Sequence, residues 1–290
     1  MKIGFIGLGN MGLPMAKNLT KAGYDVLGFD VRPISDDNLK KSNNIINVVK
    51  DMDVVITMLP DGSILNQVYS EIVPFGKEKS IFIDCSTVDM ESALKATKLA
   101  RGKNLQPIDA PVSGGVIGAE AGTLTFMVGG SSNAFEKARP LFEIMGQKAV
   151  LCGDTGSGQA AKICNNMILG ISMIGVCEAF ALADKLNLDR QKMFDVVSTS
   201  SGHCWSLNTY CPAPGVGPST PADNNYKPGF AVDLMLKDLN LAQSAATSRE
   251  VFTPLGKKAQ SLYSDFMIKG GKGKDFSAIL DFIKNQNFQD

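Results

Sequence analysis

Short apolar runs alternate with amphipathic segments through the first half of the chain. An apolar run at residues 2–6 is followed by a glycine-rich turn, an amphipathic run from Met11 to Lys21 and a second apolar run from Tyr24 to Phe29. Strand patterns recur at residues 53–59, 80–84, 105–109, 124–129 and 148–151, and helical patterns lie between several of them, at residues 63–72, 90–101 and 133–145. This alternation predicts an α/β fold with a mostly parallel sheet covered by helices on both faces.

The pattern changes after Gly156. Residues 158–186 predict one long helix that is apolar nearly all round, which is typical of a helix buried between other elements. Further helical patterns follow at residues 190–198, 232–247, 255–268 and 276–284, and a Pro- and Gly-rich interruption lies at residues 208–229. Loops of that length are often functional. We therefore expect a sheet domain at residues 1–155 and an all-α domain at residues 156–290, which begins with the long interdomain helix.

The first thirty residues carry a dinucleotide-binding pattern of strand, glycine turn, helix, strand and acid. Gly7 permits a tight turn, Gly9 lets the backbone approach a pyrophosphate, and Gly12 lets the helix pack closely on the strand. The N–H groups at the helix start favour phosphate. Asp30 can accept hydrogen bonds from a ribose 2′-hydroxyl, which favours NAD over NADP, although Arg32 could serve a 2′-phosphate. The alternative is a Rossmann-type fold that uses its glycines only for the turn.

Composition narrows the class of protein further. The 290 residues suggest two domains, and 29 basic and 29 acidic residues leave no net charge to attract nucleic acid or an anionic membrane. His203 is the single histidine, so the sequence argues against a histidine triad or a histidine-rich metal site. The six cysteines are widely spaced, and we expect them to be reduced and buried. The apolar stretch at residues 167–183 is shorter than a typical bilayer span of about 20 residues, and we interpret it as a buried helix.

Two segments, one after a predicted strand and one at the start of the long helix, could carry chemistry. Ser113, Gly114 and Gly115 follow a strand, and their N–H groups can face a carboxylate as in a nest; a plain tight turn is the alternative. Lys162 and Asn166 share one face of the long helix. A partly buried lysine loses pKa and can exchange protons near neutrality, whereas a solvated lysine at a helix end would have no such role.

A third segment lies in the second half. Lys237 and Asp238 sit on a predicted amphipathic helix, where Lys237 could reach a cofactor or a substrate carboxylate. A surface Lys–Asp pair is the alternative that spacing alone favours.

At these segments the chain resembles the β-hydroxyacid dehydrogenase family. Residues 7–19 resemble its N-terminal signature, residues 109–115 its substrate loop, residues 158–166 the segment with its essential lysine, and residues 234–239 its C-terminal Lys–Asp motif. The run from Ser200 to Ser206, with Trp205 and the Pro-rich loop after it, is similar to the hydroxyisobutyrate branch, although Pro228 stands where that branch usually has Gly.

The resemblance implies a role for each matching residue. Lys162 would be the general acid/base. The implied substrate-binding residues are Ser113, Gly114, Gly115, Asn165, Asn166, Trp205 and Asp238. The implied cofactor-binding residues are Gly7, Leu8, Gly9, Asn10, Met11, Gly12, Asp30, Leu59, Pro60, Thr87 and Lys237.

The implied activity is NAD-dependent oxidation of 3-hydroxyisobutyrate to methylmalonate semialdehyde, a step of valine catabolism. A related short-chain semialdehyde or glyoxylate reductase and a non-catalytic dinucleotide-binding module stay open as alternatives. A small hydroxyacid is the expected partner, with no nucleic acid or membrane, and the family usually forms homodimers or homotetramers. The sequence shows no targeting segment, so we expect the cytoplasm in a bacterium, or the mitochondrial matrix in a eukaryote after removal of a leader.

Overall fold

A computed structural model describes residues 1–36 and 38–286 of the chain. It divides into two compact units, Met1–Lys162 and Ile163–Asp290. The domain boundary predicted between residues 155 and 156 lies close to this division and stays a prediction.

The first unit is built on one nine-stranded sheet. Its strands are β1 (Lys2–Ile6), β2 (Asp25–Phe29), β3 (Lys40–Lys41), β4 (Val54–Thr57), β5 (Ile81–Asp84), β6 (Gln106–Asp109), β7 (Val112–Ser113), β8 (Leu124–Gly130) and β9 (Gly146–Gly153). Their order is β3-β2-β1-β4-β5-β6-β8-β7, with β9 paired to β8. The pairs from β3 to β6 and the β8–β9 pair are parallel, whereas β8 is antiparallel to β6 and β7. The predicted mostly parallel sheet is confirmed.

The helices of this unit cover both faces of the sheet. They are α1 (Gly12–Lys21), α2 (Gly62–Ile72), α3 (Met90–Arg101), α4 (Gly115–Ala121) and α5 (Ser132–Met145). Neighbouring strand residues point to opposite faces. Phe5 and Ile83 therefore pack in the core with α1 and α5, while Ile6 and Phe82 pack in the core with α2 and α3. Burial on both sides explains why these strands are continuous apolar runs.

The second unit is helical. The long helix α6 (Ser157–Lys185) enters it, and α7 (Arg190–Val197), α8 (Trp205–Asn208), α9 (Val232–Ser248), α10 (Pro254–Phe266) and α11 (Ile279–Lys284) follow. In its described residues, Ala231 and Asp275 form an isolated bridge, and no strand is present. Its core includes Phe180, Met235 and Tyr263. The predicted all-α second half is confirmed.

Helix α6 differs from its prediction in one respect. We expected a helix buried between other elements, but Ile168 is 64% exposed and Leu182 is 59% exposed in the isolated chain. Only 44% of its most apolar 18-residue window is buried, and its 29 residues are long and apolar enough to span a membrane by those measures alone. The sequence shows that these side chains are apolar, but it does not show which of them pack against other residues of the same chain.

The prediction of buried cysteines is also wrong in part. Cys85, Cys177 and Cys211 are buried, whereas Cys152 and Cys164 are exposed. Cys152 lies on β9, whose side chains are mostly exposed, and Cys164 lies on the exposed side of α6. Both positions follow from elements that have one uncovered face.

Candidate active site

The glycine turn joins β1 to α1 as the motif predicts. A side chain at Gly12 would collide with the carbonyl oxygen of Gly7, so the helix start lies directly against the turn. The N–H of Gly7 donates to the carbonyl oxygen of Phe29 at 2.9 Å, which fixes the turn to the end of β2. Among the described residues, no side chain caps the start of α1. The backbone N–H groups at the start of α1 are therefore not capped by a side chain from the part of the chain that the structure describes, and such groups bind phosphate in folds of this kind.

Asp30 lies beside the glycine turn at the end of β2. The N–H of Leu8 donates to its Oδ2 at 2.8 Å, and the N–H of Arg32 donates to its Oδ1 at 2.8 Å. The Asp30 side chain is nearly buried, whereas the Arg32 guanidinium is largely exposed, 3.4 Å from Asp30 Oδ1. A second lone pair on each carboxylate oxygen can still accept a ribose hydroxyl. The residues present therefore fit the adenosine end of NAD.

The other residues predicted in the turn differ in exposure. Leu8 is buried in the core and Met11 packs against it, so their side chains face the protein. Asn10 is exposed. Leu8 could therefore serve a cofactor only through its backbone, whereas the side chain of Met11 is partly exposed.

The loops after β4 and β5 are joined by a buried polar network. Thr57 Oγ1 donates to Asp84 Oδ1 at 2.8 Å, and Ser86 Oγ donates to the same oxygen. The N–H of Leu59 donates to Ser86 Oγ at 2.8 Å. Half-buried Leu59 and exposed Pro60 therefore lie beside the segment that contains Thr87. The role of these three residues in a cofactor cleft stays a prediction.

Burial raises the pKa of Asp84 to about 7, against the hydrogen bonds from Ser86 and Thr57, which lower it. The neighbouring Asp109 carboxyl also raises this pKa. Asp84 Oδ2 is buried without a hydrogen-bond partner among the described residues. Asp84 is not among the predicted site residues, although an acid at the end of a buried strand is a readable signal.

Ser113, Gly114 and Gly115 lie where β7 passes into α4. Gly114 and Gly115 both have positive φ angles, +130° and +62°. Helix α4 begins at Gly115. The nest and the plain turn both stay possible, because the backbone reverses here in either case.

The start of α6 is fixed to the end of β6 by Asp109. Its Oδ1 accepts from the N–H of Gly156 at 2.6 Å, and its Oδ2 accepts from the N–H of Gln159 at 3.0 Å. Burial raises the Asp109 pKa against these hydrogen bonds, which lower it. A side chain at Gly158 would collide with the carbonyl oxygen of Met127. The first turn of α6 therefore packs directly on the sheet.

Lys162 follows on this helix and is only 8% exposed. The alternative of a solvated lysine at a helix end is therefore wrong. A buried amine fits a proton-transfer role better than a surface role.

In the second unit, the predicted asparagines and the Lys–Asp motif form one polar cluster. Asn165 Nδ2 donates to Asn166 Oδ1 at 2.8 Å, and Asn166 Nδ2 donates to Asp238 Oδ2 at 2.5 Å. Lys237 Nζ lies 3.4 Å from Asp238 Oδ1. Asp238 and Asn166 are buried, so a surface Lys–Asp pair is the wrong interpretation of this motif.

Trp205 lies at the outer end of a row of aromatic rings in the same unit. Its ring stacks on Tyr210 at 4.9 Å between centroids, and Tyr210 lies 5.4 Å from Phe276. Tyr210 donates through its hydroxyl to Asp275 Oδ2 at 2.9 Å. Burial and the Asp275 carboxylate raise the pKa of Tyr210, so its hydroxyl keeps its proton.

Asp275 fixes the Pro-rich interruption to this row. Fully buried, it also accepts the N–H groups of Gly229 and Phe230, at 3.0 Å each. Tyr210 and Asp275 are not among the predicted site residues, because no local spacing connects residues 65 apart.

The sheet, the glycine turn with its acid and the buried lysine define an NAD-dependent dehydrogenase. Residues 2–153 match the family model described as the NAD binding domain of 6-phosphogluconate dehydrogenase. Residues 156–283 match the model described as NAD-binding of NADP-dependent 3-hydroxyisobutyrate dehydrogenase. The chain belongs to the 3-hydroxyisobutyrate dehydrogenase family.

Individual relatives agree over nearly the whole length. A probable 3-hydroxyisobutyrate dehydrogenase of Mycobacterium tuberculosis is 42% identical over 97% of both chains. The mitochondrial 3-hydroxyisobutyrate dehydrogenase of Drosophila melanogaster is 44% identical over 99% of this chain and 90% of the relative. A structure of the Mycobacterium tuberculosis 3-hydroxyisobutyrate dehydrogenase with L-serine superimposes with a TM-score of 0.93, 42% identity and coverage of 98% and 99% of the two chains.

Proposed function

We propose that the protein oxidises 3-hydroxyisobutyrate to methylmalonate semialdehyde with NAD, a reaction of valine catabolism. The observation that carries the proposal is the burial of Lys162 in a helix whose first turn is fixed to the sheet. Similarity over nearly the full length to relatives named for this reaction supports the substrate.

Lys162 is proposed as the general base in this direction. Its neutral amine accepts the proton of the substrate hydroxyl group. At the same time, the hydrogen on the carbon that bears this hydroxyl leaves with its electron pair. NAD, when bound, supplies the acceptor for that pair. As the ammonium, Lys162 returns the proton to the carbonyl oxygen in the reverse direction. Such proton transfer contributes about 10²- to 10⁴-fold to the rate.

Other residues are proposed to hold the reactants. The glycine turn and Asp30 hold the pyrophosphate and the adenosine ribose. Leu59, Pro60 and Thr87 line the cofactor cleft, and Lys237 lies on the nicotinamide side.

For the substrate, Ser113, Gly114 and Gly115 bind the carboxylate, and Trp205 shapes the pocket. Asn165 and Asn166 orient the hydroxyacid. We propose that Asp238 acts through Asn166, because its carboxylate already accepts the Asn166 side-chain amide.

A substrate panel tests the proposal. The substrates are 3-hydroxyisobutyrate, 4-hydroxybutyrate, glycerate and L-serine, each with NAD and with NADP. The reaction is followed by the absorbance of the reduced cofactor, NADH or NADPH. We expect the highest kcat/KM with 3-hydroxyisobutyrate and NAD. A higher value for 4-hydroxybutyrate or glycerate would assign the protein to a related reductase. Cofactor binding without turnover on any hydroxyacid would identify a non-catalytic module. L-serine is included because it is present in the Mycobacterium tuberculosis structure.

We further propose a homodimer or homotetramer. The second unit exposes large apolar side chains, among them Ile168, Leu182 and Phe252, the last 89% exposed. Exposed apolar surface of this kind often marks a protein interface. Light scattering after size-exclusion chromatography should give two or four times the chain mass of 30.9 kDa. A mass of one chain at micromolar concentration would contradict this proposal.

The compartment follows the source of the protein. We propose the cytoplasm in a bacterium and the mitochondrial matrix in a eukaryote. The Drosophila melanogaster relative, which is named mitochondrial, supports the second case. Subcellular fractionation with an antibody to the chain tests it.

A further inference from the structure

Gln159 holds the segment around Thr87 from both sides. Its side-chain Nε2 donates to the carbonyl oxygen of Ser86 at 2.7 Å, and its Oε1 accepts from the N–H of Val88 at 3.1 Å. The two backbone groups flank Thr87, which is half-buried between buried neighbours. One side-chain amide therefore fixes the chain before and after the residue at the carboxyl end of β5, where ligands bind in such sheets.

The other end of Gln159 is equally constrained. Its side chain is fully buried, and its N–H donates to Asp109 Oδ2 at 3.0 Å. Lys162 follows three residues later on α6, so the two side chains lie on the same face of the helix. Gln159 thus connects the β5 loop, the end of β6 and the helical turn that carries the lysine.

Glutamine is the residue type that this arrangement requires. A carbonyl oxygen needs a donor and an N–H needs an acceptor, and a neutral carboxamide supplies both from one planar group. An apolar side chain would leave both backbone groups buried and unpaired, which is destabilising because neither group recovers the hydrogen bond to water that it lost on burial. An ionised carboxylate would place a charge against the Ser86 carbonyl oxygen.

We propose that Gln159 is a positioning residue for proton transfer, which clamps Thr87 at a fixed distance from Lys162. The inference rests on the proposed function. It adds a residue that touches neither substrate nor cofactor but sets the spacing between two groups that do. Because a displacement of about 1 Å in a reacting complex can lower the rate about 10²-fold, a loose clamp should lower kcat more than it weakens cofactor binding.

Gln159→Met is the first test, with Gln106→Met as the matched control. Gln106 also donates through its side-chain amide to a backbone carbonyl, that of Lys79 at 2.7 Å, but at the amino end of β6. We expect Gln159→Met to lower kcat about 10- to 10²-fold, with the Kd of NAD by calorimetry within about threefold of wild type. Gln106→Met should retain wild-type kcat.

Hydrogen exchange supplies a readout that does not depend on turnover. In the protein without cofactor, the Val88 N–H should exchange faster in Gln159→Met than in wild type, because its acceptor is gone. The Gln106→Met control should leave this exchange unchanged. Wild-type kcat with unchanged exchange, or lost turnover without faster exchange, would overturn the proposal.

Gln159→Glu keeps the test decisive if the methionine variant does not fold. A protonated carboxyl group can donate to the Ser86 carbonyl and accept from Val88, whereas the ionised group cannot donate. The ratio of variant to wild-type kcat should therefore fall as the pH rises. A ratio independent of pH would count against the clamp. If wild type turns over no hydroxyacid, the proposed function fails, while the exchange experiment still decides whether the clamp exists.

Discussion

The side-chain amide of Asn166 donates a hydrogen bond to the carboxylate of Asp238, 72 residues further along the chain. Both side chains are buried, and the side-chain amide nitrogen of Asn165 donates to the single side-chain oxygen of Asn166. Asn166 therefore has one allowed amide orientation. The Lys–Asp motif of α9 thus acts on α6 through a hydrogen bond.

Replacement of Asp238 by Asn should misorient Asn166. The neutral side-chain amide in this variant can turn either its oxygen or its N–H toward Asn166, so the orientation of Asn166 is no longer fixed. The pair also loses a charge-assisted hydrogen bond worth about 1.5–3 kcal/mol. We expect kcat/KM for the hydroxyacid to fall about tenfold or more, with NAD binding unchanged. Asp233→Asn, on an exposed position of the same helix, is the control. Equal kcat/KM in the two variants would remove Asp238 from the site.

Replacement of Lys162 by Ala should leave NAD binding intact and lower kcat at least about 10²-fold, because the proton acceptor is lost. Calorimetry with NAD and steady-state kinetics measure the two effects separately. Lys185→Ala, at the exposed end of the same helix, should behave as wild type. Turnover within a few-fold of wild type in Lys162→Ala would exclude this residue as the acid/base.

Cofactor preference should depend on Asp30. Its carboxylate would repel a 2′-phosphate, so kcat/KM should be higher with NAD than with NADP. Asp30→Asn removes the charge and leaves Arg32 in place, so the preference should shift toward NADP by about tenfold or more. Asp25→Asn, exposed on the same strand, should leave the ratio unchanged. Equal kcat/KM for both cofactors in the wild type would contradict this role for Asp30.

Asp84 should make stability depend on pH. Its pKa is about 7 in the folded protein and ordinarily 3.8, so between these values the folded state binds more protons than the unfolded state. The free energy of unfolding should therefore fall as the pH rises through this window and level off above it. In Asp84→Asn the decrease should be shallower, and what is left should come from Asp109, whose pKa burial also raises. Urea unfolding at several pH values measures it, with Asp51→Asn as an exposed control. Parallel pH curves for wild type and Asp84→Asn would show that Asp84 is not responsible.

Tyr210→Phe should lower the free energy of unfolding by about 1.5–3 kcal/mol, because a hydrogen bond to the buried Asp275 carboxylate is lost. The ring that stacks on Trp205 is retained. Trp205 is the single tryptophan, so its fluorescence reports on this row of rings during urea unfolding. Tyr24→Phe, in the first unit, is the control. An unchanged midpoint in Tyr210→Phe would mean that the hydroxyl does not hold the loop.

Much of the fold could be predicted from hydrophobic periodicity. The bounds of α3 match its predicted range, and α6 differs from its predicted range by one residue at each end. Four of the labelled elements were missed. Strand β3 is two exposed lysines, β7 has two residues and α8 has four. Helix α4 has two glycines in seven residues, which lowers its helical propensity. Short or glycine-rich elements depend on tertiary contacts that no local pattern records.

The residues of the candidate site were also predicted only in part. Motif spacing pointed to the glycine turn and Asp30, and the family resemblance pointed to Lys162 and the Lys–Asp pair. Neither pointed to Asp84 on β5 or Gln159 on α6, whose hydrogen-bond partners include residues in distant segments. The burial of Asp238 was also unpredictable, because a charged residue on a helix is most often solvated.

The backbone of α6 leaves no room for a side chain at Gly158, where the helix meets the carbonyl oxygens of β6 and β8. The position of the Lys162 amine thus depends on the packing of α6 against the sheet and not on the helix alone. A transplant of the helix into another scaffold would carry the lysine without its placement. The smallest portable module consists of these two strands together with the opening turns of the helix, and the remainder of the helix is open to redesign for new substrates.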